Sequence, residues 1–164
     1  MGEPVRHDGR DKRHSGVMDG LGPHVDWVPV CPEVEMGMGV PREPILLAGS
    51  LDQPRLVGAV SGKDWTRQAW EFYQDRLNQL KNMSLDGFVF KAKSPSCGLN
   101  GVPLLKNNHS AKVLGQSSGL FALALLSEWP DLPKAQEHDL ASGAQVQKFL
   151  EQMAQYVSLK KPPE

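Results

Sequence analysis

The sequence predicts an α/β fold, a Rossmann-like three-layer domain with a mostly parallel sheet. Three observations carry that expectation: short apolar runs alternate with stretches of helical spacing, several of those runs are near-continuous, and glycine or proline punctuates the boundaries between them. Continuous apolar strands suit a sheet covered on both faces, and intervening helices supply the crossovers that parallel strands need. With 164 residues, 40% of them hydrophobic, the chain holds interior enough to fold without staples, whereas two domains would be cramped. The expected organisation is one domain over residues 1–157 and a disordered charged tail over 158–164.

The opening MGEPVRHDGRDKRHSG is polar and glycine-rich, and it crowds Arg6, Arg10, Lys12 and Arg13 together. It reads as a solvated loop, with a lesser case for holding an anion. VDWVPV, residues 25–30, is a candidate strand that breaks at Cys31-Pro32, and EVEMGMG after it begins a short helix with Glu33 and Glu35 at the positive end. ILLAG and PRLVGAV flank SLDQ and read as two strands joined by a turn. The strongest helical pattern is Asp64 to Asn82, where Asp64 can cap and Trp65, Ala69, Phe72, Tyr73, Leu77 and Leu80 share one face. GFVFK is the next strand, and it empties into the loop AKSPSCG. VPLLKNNHSAK carries no clear pattern beyond a polar turn. Ser117 to Trp129 is apolar around most of its circumference, which suits a deeply packed helix stopped by Pro130, and SGAQVQKFLEQMAQYV forms the last helix.

The formal net charge of −1 leaves no global basic field for a nucleic acid, so no stable nucleic-acid complex is expected. No apolar run approaches the roughly 20 residues that cross a bilayer, and no leader pattern stands at the start, so the expected setting is cytoplasmic and without a membrane. Free cysteines in a reducing compartment are commonly buried small hydrophobes. Cys31 and Cys97 depart from that pattern because each lies just beyond an apolar run, beside Pro, Gly or Ser, which favours a ligand or nucleophile. If both occupy loops at the carboxyl ends of strands, one crevice can hold both. Two converging thiolates suit a soft metal or an iron–sulfur cluster, and the sequence has neither a CxxC pair nor a glycine-rich phosphate loop. Glu33 and Ser94 stand close to the two cysteines in sequence, where a carboxyl group can move protons and a hydroxyl can steady a substrate. His7, His14, His24, His109 and His138 show no metal-like pairing and are expected at the surface.

GEPVRHDGRDKR, VPVCPEVEMGMGVPREPI, DGFVFKAKSPSCG and GLFALALLSEWPDLP together resemble, in order, segments of the bacterial family that includes thiouracil desulfidase. The resemblance covers nearly the whole chain. It implies a [4Fe–4S] cluster held by three cysteines, an open iron that takes the sulfur of a thiolated pyrimidine, and a non-redox hydrolytic desulfuration that releases sulfide. By motif, Cys31 and Cys97 are then cluster ligands, and Glu33 and Ser94 are the substrate-activating pair. Family members open with a strand followed by CLLG, whose cysteine is the third ligand, whereas GEPVRHDG here follows directly on Met1. The expectation is therefore a shortened start and a weakened hold on the cluster. Two alternatives accompany this reading: desulfuration of thiolated nucleosides from tRNA, and a metal- or sulfide-binding protein without turnover. The sequence leaves the oligomeric state open.

Overall fold

The computed structural model describes residues 2–160. Its architecture is mixed α/β, with two sheets and three long helices. The larger sheet comprises β1 (Ile45–Gly49), β2 (Pro54–Gly58), β4 (Val102–Leu105) and β5 (Val113–Ser117) in the order β2-β1-β4-β5. The smaller pairs β3 (Phe88–Phe90) with β6 (Lys134–Gln136) in parallel. The helices are α1 (Thr66–Lys81), α2 (Leu120–Glu128) and α3 (Gly143–Lys160).

The mostly parallel, Rossmann-like sheet is not observed. Within the four-stranded sheet only β1 and β4 run parallel, while β1–β2 and β4–β5 are antiparallel. The reason is connection length: the turn between Gly49 and Pro54 closes a hairpin, as the sequence anticipates there, and a second hairpin arises in the stretch whose pattern was unclear. Tight connections yield antiparallel neighbours, and only the path through α1 and β3 is long enough to bring β4 alongside β1 in parallel. The segment 25–30 is not a strand either. Trp27 and Val28 remain exposed and the stretch runs as irregular chain, because a proline at position 29 removes a ladder donor and only Val25 and Val30 at its two ends pack on the cores.

The long helices follow their apolar stripes. Along α1 the buried side chains are Ala69, Tyr73, Leu77 and Leu80, and the Asp64 carboxylate accepts a hydrogen bond from the Thr66 N–H at 2.9 Å. α2 begins later than its apolar run suggests, because Ser117 ends β5, and it buries Leu120, Phe121, Ala122, Ala124 and Leu125. Tyr73 meets Phe121 edge-on, with ring centroids 5.2 Å apart, so α1 and α2 share one core with Leu47, Leu56, Phe90 and Leu104. A smaller core joins Val17 and Leu21 of the N-terminal turn to Leu140, Val146 and Phe149. α3 continues to Lys160, so the first part of the expected tail is helical and residues 161–164 lie outside the described residues.

Candidate active site

Cys31 opens a short helical segment that continues through Val34–Met38, as the sequence anticipates for this stretch. Its backbone N–H donates to Glu35 Oε1 at 2.6 Å, and Arg76 of α1 approaches the other Glu35 oxygen at 3.0 Å. This arrangement satisfies a donor at the start of the turn and ties the cysteine to the core helix. The Cys31 Sγ faces the Val5 carbonyl at 4.0 Å. Two residues along, Glu33 is paired with Arg42, whose Nε and Nη2 both donate to Oε2, at 3.0 and 2.6 Å. Arg42 is almost wholly buried and its remaining donors reach Val5 O and Gly39 O, so one guanidinium links the N-terminal loop, the Cys31 turn and the glycine turn behind it.

Cys97 lies on the loop that follows β3, and hydrogen bonds to its own backbone shape that loop. The Ser94 hydroxyl oxygen accepts from the Cys97 N–H at 3.0 Å and the Ser96 N–H at 3.3 Å, and the Ser94 carbonyl accepts from the Gly98 N–H at 2.8 Å. With its oxygen occupied as acceptor, the hydroxyl proton is free to be donated elsewhere. The loop also finishes α2: the N–H groups of Leu120 and Phe121 donate to the carbonyls of Pro95 and Ser96, both at 3.0 Å. The helix start thus needs no side-chain cap, and the cysteine loop is braced on a buried helix. A Cβ on Gly119 would lie 2.4 Å from Ser96 O, and one on Gly98 would lie 2.4 Å from Val102 Cγ2, so both glycines are demanded by close approach. At the loop's other end, Lys91 Nζ pairs with Glu137, whose second oxygen accepts from the Ala92 N–H at 2.6 Å.

The two halves meet. Cys31, Glu33, Ser94 and Cys97 all line a single cavity of about 400 Å³, together with Val5, Arg42 and Lys91. A volume of this size is ample for a small heterocycle, within the range of about 300–1,000 Å³ usual for such sites. Burial pushes the Cys31 thiol pKa up. Cys97 is raised well above its ordinary value by burial first and then by the Glu33 carboxylate and the Cys31 sulfur. A separate depression of about 450 Å³ along α3, lined by His24, Asp86, Leu150, Met153, Ala154, Val157 and Ser158, contains no thiol.

The four candidate residues are thus brought together, although Cys31 does not follow a strand as expected. The histidine expectation needs two corrections: His7 lines the cavity and is half-buried, and the His14 Nδ1 is buried without a hydrogen-bond partner. His7 is drawn inward because the N-terminal loop packs on the Cys31 turn, and His14 because the turn that follows it packs beside Leu140. The basic cluster is largely paired, with Arg6 and Arg10 on Asp8 and Arg13 on Asp19, while Arg6 and Lys12 reach the cavity rim. Arg42, Lys91 and Glu137 carry no chemical signal in sequence. Only the position of Arg42 in VPREP, close behind the Cys31 turn, hinted at proximity.

The sequence model of the 2-thiouracil desulfurase family matches residues 1–137. The chain belongs to that family. A solved structure described as a [4Fe-4S]-dependent thiouracil desulfidase, TudS, is similar over 96% of this chain and 92% of its own, with 26% identity and a TM-score of 0.65. No curated protein matches the chain. Membership makes this desulfurase-family chain an enzyme by kinship, and the cavity between the two cysteine loops is where its geometry offers reactive groups. Among the described residues no helix is long and apolar enough to cross a membrane.

Proposed function

We propose that the protein removes sulfur from thiolated pyrimidines, converting a 2-thiouracil-like base to uracil and sulfide without net redox change, with a [4Fe–4S] cluster held at Cys31 and Cys97. The observation that supports it most is the convergence of both thiols with Glu33 and Ser94 on one cavity. The donor set suits such a cluster, since two soft sulfur ligands face the cavity and neither is committed to a disulfide. Together they account for two corners. Among the described residues no group of three or more His, Cys, Asp or Glu side chains is placed to hold a metal ion. When bound, a cluster with one iron lacking a protein ligand supplies a Lewis-acid position that prefers a thiocarbonyl sulfur to an oxygen.

The chain's own residues do the rest. Ser94, its oxygen held by two backbone N–H groups, lines the cavity and can donate its proton to a carbonyl or ring nitrogen of the base. Glu33 presents a carboxylate that can take a proton from the water attacking the carbon that loses sulfur. Val5, Pro32, Ile45 and Pro95 give the cavity apolar wall against which a base can pack. A small free base is the substrate that a cavity of this size suits, and no nucleic-acid or membrane partner is part of the proposal.

Anaerobic reconstitution with iron and sulfide tests the reading. Broad visible absorption and loss of thiouracil absorbance with stoichiometric sulfide are expected, and Cys31→Ser or Cys97→Ser should abolish both. A cluster that forms while every thiolated base stays intact would instead favour a binding protein, and would overturn the enzymatic assignment of these residues.

A further inference from the structure

The geometry points to Arg42 as the positioning residue that assigns different work to the two oxygens of Glu33. Both guanidinium contacts converge on Oε2, whereas a side-on fork would occupy both oxygens. Among the described residues Oε1 accepts no protein hydrogen bond, although Glu33 lines the cavity. Oε2 is therefore the anchored atom and Oε1 the one that faces substrate or water. This inference rests on the reading of Glu33 as the proton-handling group of desulfuration.

Arg42 is equipped for the task. Its side chain is 5% exposed, against 14% for Glu33, so the pair is largely shielded from competing water. The guanidinium plane is itself fixed, because Nη1 donates to Gly39 O at 3.0 Å and Nη2 to Val5 O at 2.9 Å, while the Arg42 backbone N–H donates to His7 O at 3.0 Å. A lysine could supply the charge but not this planar, four-way geometry. Glu33 consequently has one carboxylate orientation, held through Arg42 by the N-terminal loop at Val5 and His7 and by the glycine turn at Gly39.

The test compares Arg42→Gln, Arg42→Lys, Glu33→Gln and the double variant Glu33→Gln/Arg42→Gln, each reconstituted and followed for cluster content, melting temperature, kcat and KM. Arg42→Gln should lower kcat about 10- to 100-fold with little change in KM, and Arg42→Lys, which keeps the charge and most of the buried stem, should fall between it and wild type. Because Arg42 acts through Glu33, the double variant should be no slower than Glu33→Gln alone. The infrared carboxylate band that disappears in Glu33→Gln, read in the cluster-free chain, should shift in Arg42→Gln as the two oxygens become equivalent. Unchanged kcat in Arg42→Lys and Arg42→Gln, additive losses in the double variant, or an unshifted band would each overturn the inference. If the loaded wild-type protein desulfurates no thiolated base, the proposed function fails, and the infrared comparison still decides whether Arg42 orients Glu33.

Discussion

Gly119 shows how narrowly the Cys97 loop is built. A methyl group there would meet the Ser96 carbonyl, which is backbone and also accepts the Phe121 N–H, so neither side can yield without opening the start of α2. Gly119→Ala is expected to destabilise by about 1–3 kcal/mol, the usual range for overpacking, and to lower cluster content in parallel. Urea unfolding combined with visible absorption checks both; unaltered stability would show that the loop can shift. Ser94 is the other residue on which this loop depends, and it serves two ends at once. Its oxygen organises the backbone around Cys97 while the side chain lines the cavity. Ser94→Ala should therefore reduce kcat and also loosen the loop, which hydrogen exchange of the Cys97 amide would report as lost protection.

At the scale of elements, α1 and α2 form the platform for both cysteines. α1 reaches the Cys31 turn through Arg76 and Glu35, and α2 receives the Cys97 loop at its N-terminus. Phe121 joins the two helices through Tyr73 and also lies near Phe88 of β3, the strand that feeds the loop. Phe121→Ala should cost about 3–5 kcal/mol, because the ring is fully buried and its aromatic neighbours, Tyr73 of α1 and Phe88 of β3, sit on separate elements that cannot both close on the space. Melting temperature measures the loss. The Tyr73 hydroxyl and the Ser96 hydroxyl are both buried in this same region, next to the Cys97 loop. Burial raises the Tyr73 pKa far above its ordinary range, so this phenol stays protonated.

Across the whole molecule, acidic groups set the pH range of stability. Burial alone would raise the Glu137 pKa, but hydrogen bonds from Lys91 and the Ala92 N–H outweigh it and hold the carboxyl below its ordinary value of 4.5. Glu43 is held low by the Ser61 hydroxyl and by the N–H groups of Ser61 and Val60. A depressed folded-state pKa adds stability that is fully present above the unfolded value and is lost as pH falls through the folded one. Stability should thus decline as the pH drops below about 4.5, since the folded carboxylates resist protonation that the unfolded chain accepts. Glu137→Gln is expected to be less stable at neutral pH and to show a shallower decline in acid, measured by unfolding at pH 7 and at pH values below 4.5. An identical acid profile would mean that Lys91 and Glu137 do not clamp the base of the Cys97 loop.

What the sequence determined by itself is the part that periodicity and local chemistry record. The stripe along α1, the apolar girth of α2, the hairpin of β1 and β2 and the punctuated loop after β3 are all legible, because burial repeats at fixed intervals along one element. The convergence of Cys31, Glu33, Ser94 and Cys97 on one cavity is legible too, as each lies where an apolar run breaks. The tertiary structure decided the rest. It turned the expected parallel sheet into a mixed one, left 25–30 as irregular chain, drew His7 inward, and brought Arg42 onto one oxygen of Glu33 and Glu137 onto Lys91. Those outcomes depend on hydrogen-bond partners remote in the chain and on connection lengths, and no spacing along a single segment encodes which distant donor will meet which acceptor.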